Sequence, residues 1–323
     1  MLGSLRREMM RDVAATLPLM LAGALMTSLG HVGEALAERR GRGGDVGGSG
    51  VSQCPRACFC NAPSRIVYCS RRGLAAIPRD VPADTLQLNL NGNLFSWTTV
   101  TRSNVTGYPA LEHLYLSECG LERIEVGAFS DLAHLRWLDL SNNRIRAIEP
   151  RTFDGLTLQH LFVNGNRHVR IHSESFAGLA TTGLYLHDCS LGDVSPESVV
   201  RLNFTLRYLW LNGNELERLD PRLRQLFEVL LHLRLGSNPL RCNCWAVWLK
   251  RFFDESREVF KGALPPTCLR PSSLKGRHFT NITVHDLRCQ VRKLKPLINI
   301  RKKNINHAFI NYKDNKRKSI RKM

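Results

Sequence analysis

One short frame recurs through the middle of the chain and constrains the fold more than any other feature. In residues 135–145, LRWLDLSNNRI, the residues Leu135, Leu138, Leu140, Asn143 and Ile145 fall on the pattern LxxLxLxxNxL. The frame returns from 85 to 240, with its ninth position at Asn93, Cys119, Asn143, Asn166, Cys189, Asn214 and Asn238. Seven copies therefore follow one another at 23 to 26 residues (166 − 143 = 23; 119 − 93 = 26). In each copy the LxL core, as in Leu114 and Leu116, Leu138 and Leu140, or Leu209 and Leu211, alternates like a short strand with its apolar residues turned inward. A second apolar pair follows on the return path, as in Ile148 with Phe153 or Ile171 with Phe176. No single copy can bury these residues alone, so neighbours must stack. The expected product is an α/β repeat solenoid, a horseshoe with a parallel sheet on its concave side. A length of 323 residues would otherwise suggest two globules at roughly 150 residues per domain, and the repeat overrides that count.

The cysteines mark the compartment. Four precede the repeats (Cys54, Cys58, Cys60, Cys69), four follow them (Cys242, Cys244, Cys268, Cys289) and two lie inside (Cys119, Cys189). Even sets at the two ends argue for disulfide-stapled caps in an oxidising compartment. The N-terminus agrees. Arg6, Arg7 and Arg11 precede an apolar run from 13 to 29, and Ala35-Leu36-Ala37 has the small-x-small form of a cleavage site, so 1–37 reads as a secretory signal peptide. A retained signal anchor is disfavoured by Pro18 and by the shortness of the run. Residues 38–52, rich in Gly, Arg and Ser, have the composition of a flexible linker.

Cys54 to Cys69, CPRACFCNAPSRIVYC, carries a CxxxCxC spacing and then a fourth cysteine. Four cysteines admit three pairings, and sequence alone does not choose among them. A zinc knuckle would need a nearby histidine to complete its ligands, and the segment has none. The segment resembles the cysteine-rich N-terminal cap of extracellular leucine-rich-repeat proteins. At the other end NPLRCNCWAVWLKRFF places Trp245, Trp248, Leu249, Phe252 and Phe253 at helical spacing, which predicts an amphipathic helix with an aromatic face over the last repeat. With its four cysteines this segment resembles the C-terminal cap of the same family. The resemblance covers residues 54–289 and is closest to secreted or cell-surface members, including the ectodomains of neuronal adhesion receptors. It implies a cap at 53–84 with Cys54 paired to Cys60 and Cys58 to Cys69, seven leucine-rich repeats at 85–240, and a cap at 241–290 with Cys242 paired to Cys268 and Cys244 to Cys289. Without caps the terminal repeats would expose an apolar end and an unpaired strand edge.

Catalytic, cofactor and metal readings find little support, and no residue is assigned to them. Cys119 and Cys189 occupy the inward ninth position, where a thiol is expected to be buried, free and inert. They lie three strands apart, about 14 Å at roughly 4.8 Å per strand, too far for a disulfide. His113, His160 and His232 share one strand position but sit two and three repeats apart, and His187 is displaced along its strand; they read as surface polar groups, not metal ligands. No phosphate loop, paired acid motif or Ser and His elbow accompanies them. Sequons stand at Asn104, Asn203 and Asn281, none on an expected strand.

The concave face is more informative. Between the two core leucines, successive repeats present Asn89, Tyr115, Asp139, Phe162, Tyr185, Trp210 and Arg234, with Trp137 and Tyr208 beside them, all expected to point away from the core. Exposed rows of aromatics are typical of protein-binding hot spots. The bland alternative is that the rings stack on one another and stiffen the sheet. The expected function is recognition of an extracellular or cell-surface protein by a receptor or adhesion ectodomain in secreted or truncated form. The family's partner class enters here by analogy of fold.

The terminal segment 291–323 holds twelve Lys or Arg and one Asp, so about +11 of the formal +18 lies there, and it reads as a basic, disordered tail. This tail suggests a matrix protein contacting heparan sulfate as the alternative function. A secreted enzyme ranks last, because the chain leaves no room for a catalytic domain. No specific nucleic-acid partner is expected, nor a membrane span beyond the signal peptide, since no run of about twenty apolar residues follows the repeats.

Overall fold

The structure, a computed structural model, describes residues 54–288. The expected signal peptide, linker and basic tail, and Cys289, lie outside the described residues.

Nine strands form one sheet in chain order: Phe59–Asn61, Ile66–Tyr68, Gln87–Asn89, His113–Tyr115, Trp137–Asp139, Thr157–Phe162, Ala180–Tyr185, Tyr208–Trp210 and His232–Arg234. The first two pair as an antiparallel hairpin and every later pair is parallel. Register is set by the leucines. Leu88, Leu114, Leu138, Leu161, Leu184, Leu209 and Leu233 align directly across the seven repeat strands, and each is essentially inaccessible to solvent. A slip of one residue would turn all of them outward, which is why so short a strand, mostly three residues, holds its pairing. The result is a leucine-rich-repeat solenoid.

After each strand the chain must turn back, and the ninth position performs that turn. The residue before it, Gly92, Glu118, Asn142, Gly165, Asp188, Gly213 or Ser237, takes a positive φ of 54–72°. The asparagine side chain then satisfies the backbone that the turn strands. Asn143 Oδ1 accepts from the N–H groups of Cys119 (2.9 Å) and Leu121 (3.1 Å). Its Nδ2 donates to the carbonyls of Leu116, Leu140 and Ser141 at 2.8–3.1 Å. Asn214 repeats the arrangement one side of Cys189, and Asn93 one side of Cys69. Buried backbone groups tolerate no alternative to being paired. Where cysteine replaces asparagine, the Cys119 thiol donates to Leu90 O and Ser117 O and the Cys189 thiol to Val163 O and His187 O. Both thiols are free and buried.

On the return side, short parallel pairs join Thr99–Val100 to Arg123–Ile124 and Ala147–Ile148 to Arg170–Ile171. Beneath them Phe129, Phe153 and Phe176 stack nearly parallel with centroids 6.4 and 6.2 Å apart, one ring per repeat.

The ends are closed by sulfur and aromatic packing. Cys54 is bonded to Cys60 and Cys58 to Cys69, cross-linking the N-terminal hairpin with the residues that flank it. At the other end Cys242 is bonded to Cys268. Cys244 is also disulfide-bonded, and Cys289, the partner that the resemblance implies, is outside the described residues. The helix Val247–Glu255 buries Leu249, Phe252 and Phe253. Phe252 meets Phe227, on the return path of the sixth repeat, at 5.9 Å, while Phe253 meets Phe279 of the cap at 5.9 Å. Trp245 corrects the sequence reading. It lies in the turn Cys244–Ala246 before the helix begins, held there by Asn243, and is 61% exposed rather than part of the packed face. Among the described residues no helix is long and apolar enough to cross a membrane.

Candidate recognition face of the sheet

Each repeat strand turns its central leucine into the core, so the residues on either side of that leucine both stand on the outer sheet face. Two columns result. One runs Asn89, Tyr115, Asp139, Phe162, Tyr185, Trp210, Arg234; the other runs Gln87, His113, Trp137, His160, Gly183, Tyr208, His232. Strand neighbours are close enough for their rings to touch, and they do. Tyr115 and Trp137 lie 6.2 Å apart, Trp137 and Phe162 4.8 Å, Phe162 and Tyr185 4.2 Å in parallel stacking, and Tyr185 and Trp210 4.8 Å edge to face. Arg234 closes the ladder with its guanidinium 3.7 Å above the Trp210 ring.

Two sequence expectations are corrected by this packing. The ring row is not uniformly exposed: Tyr185 is only 2% and Tyr208 only 8% accessible, while Tyr115, Trp137, Phe162 and Trp210 are half-buried. Gly183 explains Tyr185. A Cβ on Gly183 would stand 2.6 Å from His160 Nδ1 and 2.9 Å from the Tyr185 hydroxyl, so the missing side chain leaves the space across which Tyr185 lies. Its hydroxyl sits 3.0 Å from His160 Nδ1.

The histidines, expected as surface polar groups, are instead part of the ladder. His160 packs 4.8 Å from Trp137, His232 stacks on Tyr208 at 5.4 Å, and His113 lies 6.1 Å from Trp137. The signal for this was available. They occupy the same two-residue period as the aromatic row, one position before the leucine instead of one after it.

Burial makes the face electrically quiet. It lowers His113, His187 and His232 below the ordinary histidine value, and with the charge of His113 it pushes His160 down to about 4. It raises Tyr115 and Tyr185, and lifts the Asp139 carboxyl against the opposing hydrogen bonds from Ser141. At neutral pH the imidazoles are therefore uncharged.

An acid-linked instability follows for His160. Its folded pKa lies below its unfolded value near 6.5, so in the interval from about pH 6.5 to 4 the unfolded chain binds the proton that the folded chain refuses. Stability is expected to be full above that interval and to fall as pH drops through it. Thermal unfolding at pH 7 and pH 4.5 should show a smaller acid-induced drop for His160→Gln than for the parent chain; equal drops would remove His160 as a cause.

The remaining candidates do not gather into a chemical site. Burial pushes the Cys119 thiol up to about 11 and the Cys189 thiol up to about 12, opposite to the shift that activates a nucleophile. Among the described residues no three His, Cys, Asp or Glu side chains converge where they could hold a metal ion. The sequon asparagines lie off the main sheet: Asn104 in the short helix Arg102–Val105, Asn203 in the turn Val200–Phe204, Asn281 in the turn Phe279–Asn281.

A stacked parallel sheet, an inward asparagine ladder and disulfide-stapled ends together define a capped leucine-rich-repeat solenoid. The leucine rich repeat family model matches residues 109–167, and the leucine rich repeat N-terminal domain model matches 53–82. Trophoblast glycoprotein of Macaca fascicularis is 28% identical, the match covering 73% of this chain and 68% of that protein. Leucine-rich repeat-containing protein 3 of Mus musculus is 48% identical over 107 residues, and the chain spans only 32% of the length of that relative. The crystal structure of human 5T4 (Wnt-activated inhibitory factor 1, trophoblast glycoprotein) is similar, with a TM-score of 0.54 at 25% identity, over 73% of this chain and all of that one.

Proposed function

We propose that the chain is a recognition module that binds an extracellular or cell-surface protein through the ring ladder of its sheet face, in the manner of a receptor or adhesion ectodomain. The observation that carries this reading is the continuity of the ladder. Five rings from Tyr115 to Trp210 touch in sequence across five strands, with four of them partly exposed to solvent. Rigid, partly desolvated aromatics bind protein surfaces with little loss of side-chain freedom. A purely stiffening role would be served equally by rings closed over on both sides. The sequons support the same face, because sugars on Asn104, Asn203 and Asn281 would sit away from it.

Paired cap cysteines and the extracellular relatives favour an oxidising exterior over the cytosol. Recognition rather than catalysis is the reading, since the two inner thiols are disarmed by burial.

The test is binding of the tagged chain to a panel of displayed cell-surface proteins, with Trp137→Ala and Trp210→Ala combined. These two rings are chosen because Tyr185 is buried and its loss would also disturb the fold. A fall in affinity of about a hundredfold is expected if both rings are hot spots worth roughly 1–2 kcal/mol each. Undiminished binding would overturn the reading. The basic segment 291–323 favours matrix glycosaminoglycan as a second contact; that reading requires salt-sensitive heparin retention that disappears when the segment is deleted.

A further inference from the structure

Arg234 differs from the other well-placed arginines of this chain. On the return side and in the cap, arginines find carboxylates: Arg146 meets Glu122 at 2.7 Å, Arg222 meets Asp220 at 2.8 Å, and Arg224 meets Glu255 at 2.9 Å. Arg234 is half-buried in the last strand of the sheet and makes no ion pair among the described residues. Asp139, the one carboxylate in the two sheet-face columns, stands four strands away, roughly 19 Å at about 4.8 Å per strand.

The geometry also says which part of the guanidinium is available. Its π-face is taken by Trp210 at 3.7 Å, and Trp210 is itself held by Tyr185 at 4.8 Å and by His187 at 5.5 Å. A guanidinium stacked in this way keeps its N–H donors in the plane, directed away from the ring beneath it. None of these side-chain donors has an acceptor among the described residues. Burial disfavours the charge of Arg234, and the imidazoles of His187 and His232 beside it are kept neutral by burial and by Arg234 itself. A single positive charge, oriented and uncompensated, thus sits at the end of an aromatic platform.

We propose that the Arg234–Trp210 pair is a seat for a side-chain carboxylate of the protein partner, an Asp or Glu that is followed or preceded by an apolar residue lying on Trp210 and its neighbouring rings. This rests on the sheet face being the recognition surface. A planar carboxylate matches the guanidinium fork with two parallel hydrogen bonds, and the partly desolvated setting strengthens them. The stacked ring holds the fork in place before the ligand arrives, so little ordering remains to be done on binding.

The experiment pans a library of random displayed peptides on the purified full chain and measures retained peptides by Kd against the parent, R234Q, R234K and the Trp137→Ala/Trp210→Ala variant. Peptides retained by the parent are expected to be enriched in Asp or Glu next to an apolar residue. Their affinity should fall about tenfold or more on R234Q, and by a similar factor when the peptide acid is changed to its amide. Combining the two changes should cost little more than either alone. R234K should recover only part of the loss, because it restores charge without the fork.

Thermal midpoints of R234Q and the parent should agree, which separates lost contact from lost fold. Peptides that need Trp137 and Trp210 but show no acid preference would overturn the carboxylate seat and leave the recognition face intact. Acid preference that survives R234Q would do the same, as would heparin, rather than peptide, being the ligand lost with Arg234. Peptide binding indifferent to the two tryptophans would instead overturn the recognition face, and the carboxylate seat with it.

Discussion

Replacing Asn143 with alanine is expected to lower the free energy of unfolding by about 3–5 kcal/mol, the scale at which several buried polar groups lose their partners at once. Asn143 is almost fully buried and makes five hydrogen bonds, two received from backbone N–H groups and three given to carbonyls of two successive repeats. Alanine fills none of these. The N–H groups of the buried residues Cys119 and Leu121 would lose their acceptor. Asn143→Asp is the informative companion. It keeps the acceptor but cannot donate, so it should restore part of the loss only if its carboxylate is tolerated in the core. Urea unfolding monitored by circular dichroism measures both, and a change below about 1 kcal/mol for Asn143→Ala would show that the turn can be satisfied without the side chain.

Removing the Cys242–Cys268 bond by the double change to alanine should cost about 3–4 kcal/mol on the loop-entropy scale for a closure of this size. The cross-link spans 26 residues and holds the helix Val247–Glu255 over the last repeat. In a solenoid each repeat is stabilised by its neighbours, so an unlatched cap exposes the Phe227 and Phe252 contact and lets the end fray inward. Hydrogen exchange should therefore rise first in 232–288 and fall off toward the middle repeats. A uniform rise along the solenoid would mean that the cap and the repeats unfold as one cooperative block.

Much of this architecture was readable from leucine spacing. The two-residue period around each LxL core dictates which side chain enters and which leaves, and Leu88 through Leu233 align in the sheet as that period requires. The ninth-position asparagines and cysteines were equally legible, because a chain that reverses after a three-residue strand must satisfy the same stranded amides every time. The candidate face was legible only as a list of residues on one side. In its second column His113, His160 and His232 share a strand position with Trp137 and Tyr208, but repeat spacing alone does not show that the imidazoles pack on those rings; neighbouring strands bring them together. Trp245 misled for a different reason: helical spacing does not reveal where the helix begins, and the Asn243 turn delays the start to Val247.

By itself the sequence determined the repeat, the inward leucines and the sheet side on which the aromatic row stands, since all three follow from periodicity along the backbone. Only the tertiary structure decided how that row is occupied. Tyr185 is buried because Gly183 lacks the atom that would block it, and Arg234 is stacked and unpaired because of what the adjacent strand offers it. Such outcomes depend on contacts between strands more than twenty residues apart, and a local pattern cannot encode which of two neighbouring side chains takes a shared space.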